Sequence, residues 1–86
     1  MEKVTILMPV YNGEKYLRDQ LDSIASQSRL PDELIVCDDN SSDQTLSILD
    51  EFSDAAPFAV RVFNNESNLG STKNFERAIS LCEGDI

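Results

Sequence analysis

The sequence predicts an α/β fold in which a mostly parallel sheet lies between helices on both faces. Three short apolar runs, at residues 4–8, 34–37 and 58–63, each lead into a polar turn and then into a segment with helical spacing. Successive strand–helix units favour parallel strands joined by right-handed crossovers. The second run is apolar throughout, which is typical of a strand covered on both faces. We therefore expect a doubly wound, three-layer sandwich.

The first unit contains a strand over residues 4–8 and a long helix. Pro9 is expected to end the strand's ladder, because proline has no N–H to donate. Residues 10–13 then form a turn. From Glu14 to about Gln27 the apolar side chains recur at i, i+4, i+7 and i+8, which predicts one buried helical face. That face consists of Leu17, Leu21, Ile24 and Ala25.

The second unit joins a buried strand to a helix through two adjacent carboxylates, Asp38 and Asp39. Ser41 and Gln44 have the spacing of a capping box, so a helix is expected to begin there. Asp43 would then lie in the first helical turn, where the macrodipole favours negative charge. Ligands of open α/β sheets collect outside the carboxyl ends of the strands, which makes the acidic pair a candidate site.

The third unit has the weakest strand pattern of the three. Arg61 interrupts its strand, which indicates a partly wet face and a place at the sheet edge. A helix is predicted from Ser71 to about Cys82, with Gly84 as its stop. Its inward face is expected to carry Thr72, Phe75, Ile79 and Cys82, and the aromatic residues expected in or near the core are Tyr16, Phe52, Phe58, Phe63 and Phe75.

Composition excludes several classes of function. Sixteen acidic against seven basic residues give a net charge of -9, which disfavours binding to nucleic acid or to an anionic membrane surface. The chain has no histidine, so Ser-His-Asp, Cys-His and His-based zinc sites are absent. Cys37 and Cys82 fit no metal-ligand spacing and are expected to be buried. No transmembrane segment or signal peptide is recognisable, and a cytoplasmic location is expected.

Four stretches in order resemble one known family. They read VTILMPVYNG, EKYLRDQLDSIASQS, ELIVCDDNSSDQT and NNESNLGSTKNFERAISLCEGDI, and together they cover essentially the whole chain. They resemble the N-terminal part of family 2 glycosyltransferases of the GT-A fold. The resemblance implies the Rossmann-like, nucleotide-binding half of a GT-A domain, with residues 1–86 as a single partial domain truncated at the start of a fourth strand. It also implies a UDP- or dTDP-sugar donor, a hydroxyl on a sugar or glycan acceptor, and a place in polysaccharide biosynthesis.

The resemblance implies roles for the first two turns. Pro9 and Tyr11 resemble the turn that lines the base, and Asp39 resembles the carboxylate that accepts the imide N–H of uracil. An ionised carboxylate only accepts hydrogen bonds, so it selects uracil or thymine over cytosine, whose N3 is an acceptor. Tyr11 offers a flat face for stacking, although it could instead cap the sheet. Asp38 could contact the ligand or accept backbone N–H bonds in its own turn, and the sequence favours neither role over the other.

The third turn, Asn68-Leu69-Gly70, resembles the family's N-x-G turn before the third helix. Gly70 is expected to adopt a backbone conformation that other residues avoid. Many members continue with Ala-Arg-Asn-x-Gly, whose Arg reaches the donor. The aligned residues here are Asn74-Phe75-Glu76-Arg77-Ala78, which have no Arg at the second position of that motif. Residues 71–76 resemble a variant seen in rhamnosyltransferase-like members. Lys73 is a candidate for a donor-phosphate contact, with a solvated surface lysine as the alternative.

The family's metal ligands and catalytic base are expected outside this chain. The metal motif is an Asp-x-Asp type just beyond the fourth strand, and the base lies further on. The resemblance thus implies Mg²⁺ or Mn²⁺ for a longer enzyme, which could associate with a membrane periphery. It implies no metal ligand and no catalytic residue within residues 1–86, so these residues alone are not expected to transfer sugar.

Two other interpretations remain open from the sequence. One is a non-catalytic α/β binding module, of which a phosphoacceptor receiver is the sharpest form. A receiver places paired acids after its first strand, whereas here that strand ends in Met8-Pro9. The other is an inactive fragment whose uncovered sheet edge pairs with a second copy.

Overall fold

A computed structural model describes residues 4–83, apart from the side chains of residues 71, 82 and 83. Three parallel strands form a sheet in the order β1-β2-β3, which confirms the predicted α/β class. The elements are β1 Thr5–Val10, α1 Leu17–Ala25, β2 Glu33–Asp38, α2 Thr45–Ala55, β3 Ala59–Asn64 and α3 Ser71–Glu83. The predicted helix stop at Gly84, the fourth strand and the side chain of Cys82 lie outside the described residues.

Strand β1 continues through Pro9, so the prediction that this proline ends the strand was wrong. The carbonyl groups of Val4 and Val10 accept N–H bonds from Asp32 and Asp39, on the β2 side of the strand. Alternate residues of a strand direct their backbone groups to opposite sides. The backbone nitrogen of Pro9 therefore faces away from β2. The absence of an N–H at Pro9 costs the β1–β2 ladder no hydrogen bond.

Strand β2 lies between the other two and is buried on both faces. Leu34 and Val36 pack in one core cluster with residues of α1 and α2, while Ile35 and Cys37 are buried on the opposite face. Helix α3 packs against β1 and β2, and α2 packs against α1 and β3. This arrangement gives the three predicted layers. The core cluster contains Val10, Leu17, Leu21, Ile24, Leu34, Val36, Ile48 and Leu49.

The first two helices begin later than predicted. Residues 14–16 form a turn in which the N–H groups of Tyr16 and Leu17 both donate to the carbonyl of Gly13, so α1 begins at Leu17. The predicted capping box was wrong, because α2 begins at Thr45 and its N-cap residue, Gln44, makes no side-chain capping bond. The Ser41 hydroxyl instead accepts the N–H of Asn12 and donates to Asp38. Because α2 begins at Thr45, Asp43 precedes the helix and does not lie in its first turn.

Two aromatic residues predicted in or near the core are exposed. Tyr16 is 44% and Phe75 46% accessible to solvent. Tyr16 lies over Gly13, where an added Cβ would meet its ring at 2.9 Å. Helix α3 buries Asn74 and Ala78 instead of Thr72 and Phe75. Its buried stripe is thus displaced from the predicted one by a residue and begins with a polar side chain.

Strand β3 lies at an edge of the described sheet, as predicted, and pairs there with β2. The guanidinium of Arg61 lies 5.2 Å from the centre of the Phe63 ring, a cation–π distance. On the other face, Phe52 and Phe58 are partly buried with their rings 5.9 Å apart. Across residues 4–83, no helix is long and apolar enough to span a membrane.

Candidate functional site

A cavity of about 290 Å³ opens beside the carboxyl ends of β1 and β2. This is the place where open α/β sheets bind ligands, and the volume is close to the lower end of the range for ligand pockets. The lining residues are Pro9, Val10, Tyr11, Asp39, Asn68, Gly70 and Asn74. The cavity therefore brings together five of the seven predicted site residues, and Asp38 and Lys73 are not among those that line it.

Asp39 is the charged residue in this lining, and it is only 4% exposed. Its Oδ1 accepts hydrogen bonds from Asn65 Nδ2 at 2.8 Å and from the N–H of Leu69 at 2.7 Å. Its Oδ2 accepts the N–H of Gly70 at 3.0 Å. A carboxylate offers about four lone-pair positions, so the described contacts leave one position on Oδ2.

These contacts keep Asp39 ionised. Burial acts to raise the pKa of its carboxyl group, but the N–H of Leu69, the amide of Asn65 and the N–H of Gly70 together hold that pKa below its ordinary value. An ionised carboxylate at a cavity wall accepts hydrogen bonds and donates none. The site can therefore recognise a ligand that carries an N–H or O–H donor.

The side chain of Asp38 is buried and bonds to Ser41 within its own turn. Its Oδ2 accepts the N–H of Ser41 at 2.9 Å, and its Oδ1 accepts the Ser41 hydroxyl. Asn40 between them has φ 60°, a left-handed conformation that asparagine tolerates better than most residues. Of the two roles left open for Asp38, these contacts support the one that holds the turn.

The turns after β1 and β2 are bonded to each other. The N–H of Asn12 donates to Ser41 Oγ, and its Oδ1 accepts the N–H of Ser42, both at 2.8 Å. The N–H of Gly13 donates to the buried hydroxyl of Thr45, also at 2.8 Å. Asn12 makes these bonds with a left-handed backbone conformation, φ 48°. These bonds fix the turn that carries Tyr11 relative to the acidic end of β2.

Tyr11 is 52% exposed and lies in the cavity wall beside Pro9. About half of its surface is thus open to solvent, and the residue contributes to the cavity wall. An aromatic face accessible at a cavity wall can stack on a planar ligand.

The turn before α3 forms another part of the wall. Asn68 Nδ2 donates to the backbone carbonyl of Asp39, and Gly70 has φ +90°. The expectation of an unusual backbone conformation at Gly70 is confirmed. Lys73 is exposed in the first turn of α3.

Three residues that support this site were missed by the sequence analysis: Asn65, Asn74 and Arg77. Asn65 and Asn74 are each 1% exposed and bonded to each other, and Arg77 donates to Asn65. Hydropathy patterns treat asparagine as a surface residue, so they gave no signal here. The spacing i, i+4 between Asn74 and the buried Ala78 could have indicated an inward position.

The described residues do not fit a divalent metal ion. In residues 4–83, with the side-chain gaps noted above, no group of three His, Cys, Asp or Glu side chains could hold one. Asp38 and Asp39 accept N–H and O–H groups instead, with two described contacts on Asp38 and three on Asp39.

Comparison with known proteins agrees with this geometry. Residues 5–86 match the family model described as Glycosyl transferase family 2. Glycosyltransferase GlyA of Streptococcus pneumoniae is 36% identical over 85% of this chain and 10% of its own length. Abequosyltransferase RfbV of Salmonella typhimurium is 32% identical over 95% of this chain and 25% of its own length.

A solved structure shows the same fold. The crystal structure of Staphylococcus aureus TarS in complex with UDP-GlcNAc superposes with a TM-score of 0.81 at 33% identity, over 93% of this chain and 23% of that chain. This chain thus spans a quarter or less of the length of these three relatives. The match favours a transferase-type sheet over a receiver-like module. The chain belongs to glycosyl transferase family 2.

Proposed function

We propose that this chain recognises the base and ribose of a UDP- or dTDP-sugar, within a glycosyltransferase that passes the sugar to a hydroxyl of a sugar or glycan acceptor. The observation that carries the proposal is the cavity in whose wall Tyr11 and the buried carboxylate of Asp39 meet. The TarS structures with UDP-GlcNAc and UDP, at about one-third identity, support a nucleotide-sugar ligand.

Asp39 would recognise the base through a hydrogen bond. Uracil and thymine carry an imide N–H, and the open acceptor position on Oδ2 would receive it. Cytosine presents an unprotonated N3 at the same place, so its lone pair would oppose that of the carboxylate. A site built to bond a ligand N–H discriminates strongly against analogues that lack it, because its own buried polar group is then left unpaired.

Tyr11 would stack on the base, and Pro9 would complete the apolar wall. Asn68 and Gly70 would border the ribose, since they line the same cavity from the turn before α3. Lys73 lies one helical turn beyond Gly70, near the N-terminus of α3. A cation gains nothing from the helix dipole there, so a ligand phosphate would account for its position.

We expect the divalent metal and the catalytic base to be held by other parts of a longer enzyme, since Asp38 and Asp39 are already bonded to N–H and O–H groups. Mg²⁺ or Mn²⁺ would stabilise the departing diphosphate as a Lewis acid. The residues described here would orient the nucleotide and hold its base.

Calorimetric titration with UDP tests the proposal, with Tyr11→Ala and Tyr16→Ala as a matched pair. Both tyrosines are about half exposed, but only Tyr11 lines the cavity. Loss of one aromatic stacking contact, worth roughly 1–3 kcal/mol for a base, predicts at least about fivefold weaker binding for Tyr11→Ala. Tyr16→Ala is expected to bind UDP as the unaltered protein does.

The proposal would be contradicted if the unaltered protein bound neither UDP nor dTDP, or if the two tyrosine variants lost affinity equally. Running the titration in Mg²⁺ and again in EDTA separates base recognition from metal binding. We expect uridine alone to bind with the same affinity in both buffers.

A further inference from the structure

A chain of buried and partly buried hydrogen bonds runs from α3 to the end of β2. Arg77 donates to Asn65 Oδ1, and Asn65 Nδ2 donates to Asp39 Oδ1 at 2.8 Å. The same Nδ2 donates to Asn74 Oδ1 at 2.9 Å. Asn74 Nδ2 in turn donates to the carbonyl of Cys37 at 2.9 Å.

This network has a fixed polarity. The guanidinium of Arg77 can only donate, whereas the ionised carboxylate of Asp39 and the carbonyl of Cys37 can only accept. The amides between them can present either oxygen or nitrogen, so the groups at the ends decide how they face. If Asn65 turned over, its oxygen would oppose the carboxylate and its NH₂ would oppose the guanidinium.

The polarity decides which oxygen of Asp39 stays available. Asn65 and the N–H of Leu69 fill both lone-pair positions of Oδ1, while Oδ2 accepts only the N–H of Gly70 among the described contacts. We propose that Arg77, by fixing the orientation of Asn65, reserves Oδ2 of Asp39 for the ligand and so acts as a positioning residue for base recognition.

This inference rests on the proposed function, because it assigns a specificity role to residues behind the same site. Arg77 does not line the cavity, so it would act through Asn65 rather than by touching the ligand. Of the other titratable residues, Tyr11 on the turn after β1 lines the same cavity as Asp39, and Cys37 lies two residues before Asp39 on β2. The acidic neighbour Asp38 is bonded to Ser41 instead.

Two polar substitutions separate the positioning role from simple packing. Arg77→Lys keeps a side chain that only donates, so Asn65 should keep its orientation. Arg77→Gln is of similar length but can donate or accept, so Asn65 loses the constraint from the guanidinium and keeps only those from Asp39 and Asn74. Arg18→Gln is the matched control, since Arg18 lies on α1 and bonds the exposed Glu51.

The first measurement follows the Asp39 carboxyl carbon by NMR as pH is lowered. Arg77→Gln should move its titration to higher pH, because the Asn65 donor no longer faces Oδ1 reliably. The amide signals of Leu69 and Gly70 should shift with it. Arg77→Lys and Arg18→Gln should titrate as the unaltered protein does. An unchanged Asp39 titration in Arg77→Gln would overturn the proposal.

The second measurement is the ratio of UDP to CDP affinity. We expect Arg77→Gln to lower this ratio about fivefold, as for the loss of one well-oriented hydrogen bond, and Arg77→Lys to restore it. An equal loss in both Arg77 variants would indicate a purely structural role and contradict the inference. If the unaltered protein bound no nucleotide, the proposed function would fail, while the NMR titration would still decide whether Arg77 orients Asp39.

Discussion

The N–H of Gly70 donates to Oδ2 of Asp39 at 3.0 Å, which joins the turn before α3 to the end of β2 across 31 residues. The N–H of Leu69 donates to the other oxygen of the same carboxylate. One side chain thus holds a backbone turn in place and forms part of the cavity wall. The stability of the turn and recognition at the cavity should therefore depend on the same groups.

Gly70→Ala should destabilise the protein through its backbone alone. Gly70 has φ +90°, and an added Cβ would meet no atom within 4 Å. The cost is therefore conformational, about 1–2 kcal/mol for an L-residue in a left-handed region. Urea unfolding measures it.

Gly13→Ala is the informative comparison for that variant. There the added Cβ would meet the Tyr16 ring at 2.9 Å, but this ring is exposed and can move. We expect the smaller loss at Gly13. A Gly70→Ala protein as stable as the unaltered one would show that the turn does not need this conformation.

Thr45→Val should weaken the contact between the first two turns. The Thr45 hydroxyl is buried, accepts the N–H of Gly13 at 2.8 Å and donates to Asp43 Oδ1. Valine has the same shape but leaves that N–H unpaired, at a cost of about 1–3 kcal/mol. Thr72→Val on the exposed face of α3 is the control and should change the unfolding free energy little. Equal effects of the two substitutions would contradict the role of the Thr45 hydroxyl.

Acidification should remove stability that depends on Asp39. Its pKa in the folded protein lies below the ordinary value of 3.8, so folding is favoured while the group is ionised. This contribution is complete above the ordinary pKa and is lost as pH falls through the lowered one.

Asp43 contributes to the same loss of stability at low pH. Burial acts to raise its pKa, but the hydroxyl and N–H of Thr45 and the N–H of Glu14 hold it below the ordinary value. Unfolding free energies measured from pH 7 downward should therefore fall below about pH 4. The decline should be shallower in Asp39→Asn, and an identical decline in that variant would contradict the assignment.

The order of strands and helices could be predicted from the sequence because it depends on local patterns. Short apolar runs and helical spacing identified all six elements within residues 4–83, and Arg61 correctly placed β3 at an edge of the described sheet. The candidate site was also partly predictable, since motifs at strand ends must lie at one edge of a parallel sheet. Pro9, Tyr11, Asp39, Asn68 and Gly70 do meet there.

The errors arose where distant residues decide the structure. Ser41 has the spacing of a helix cap, but Asn12 and Asp38 bond it instead, so α2 begins at Thr45. Phe75 was placed inward by its hydrophobicity, yet Asn74 takes the buried position because it bonds a carbonyl of β2. Such long-range polar pairs leave no periodic signal in one sequence.

Base recognition by Asp39 is tested most directly by comparing UDP with CDP binding in the unaltered protein and in Asp39→Asn. We predict that the unaltered protein prefers UDP at least about fivefold, since a missing N–H leaves a buried acceptor unpaired at a cost of about 1–3 kcal/mol. In Asp39→Asn this preference should largely disappear, because an amide can present either a donor or an acceptor. Equal binding of UDP and CDP by the unaltered protein, or a UDP preference that survives in Asp39→Asn, would contradict this role of Asp39.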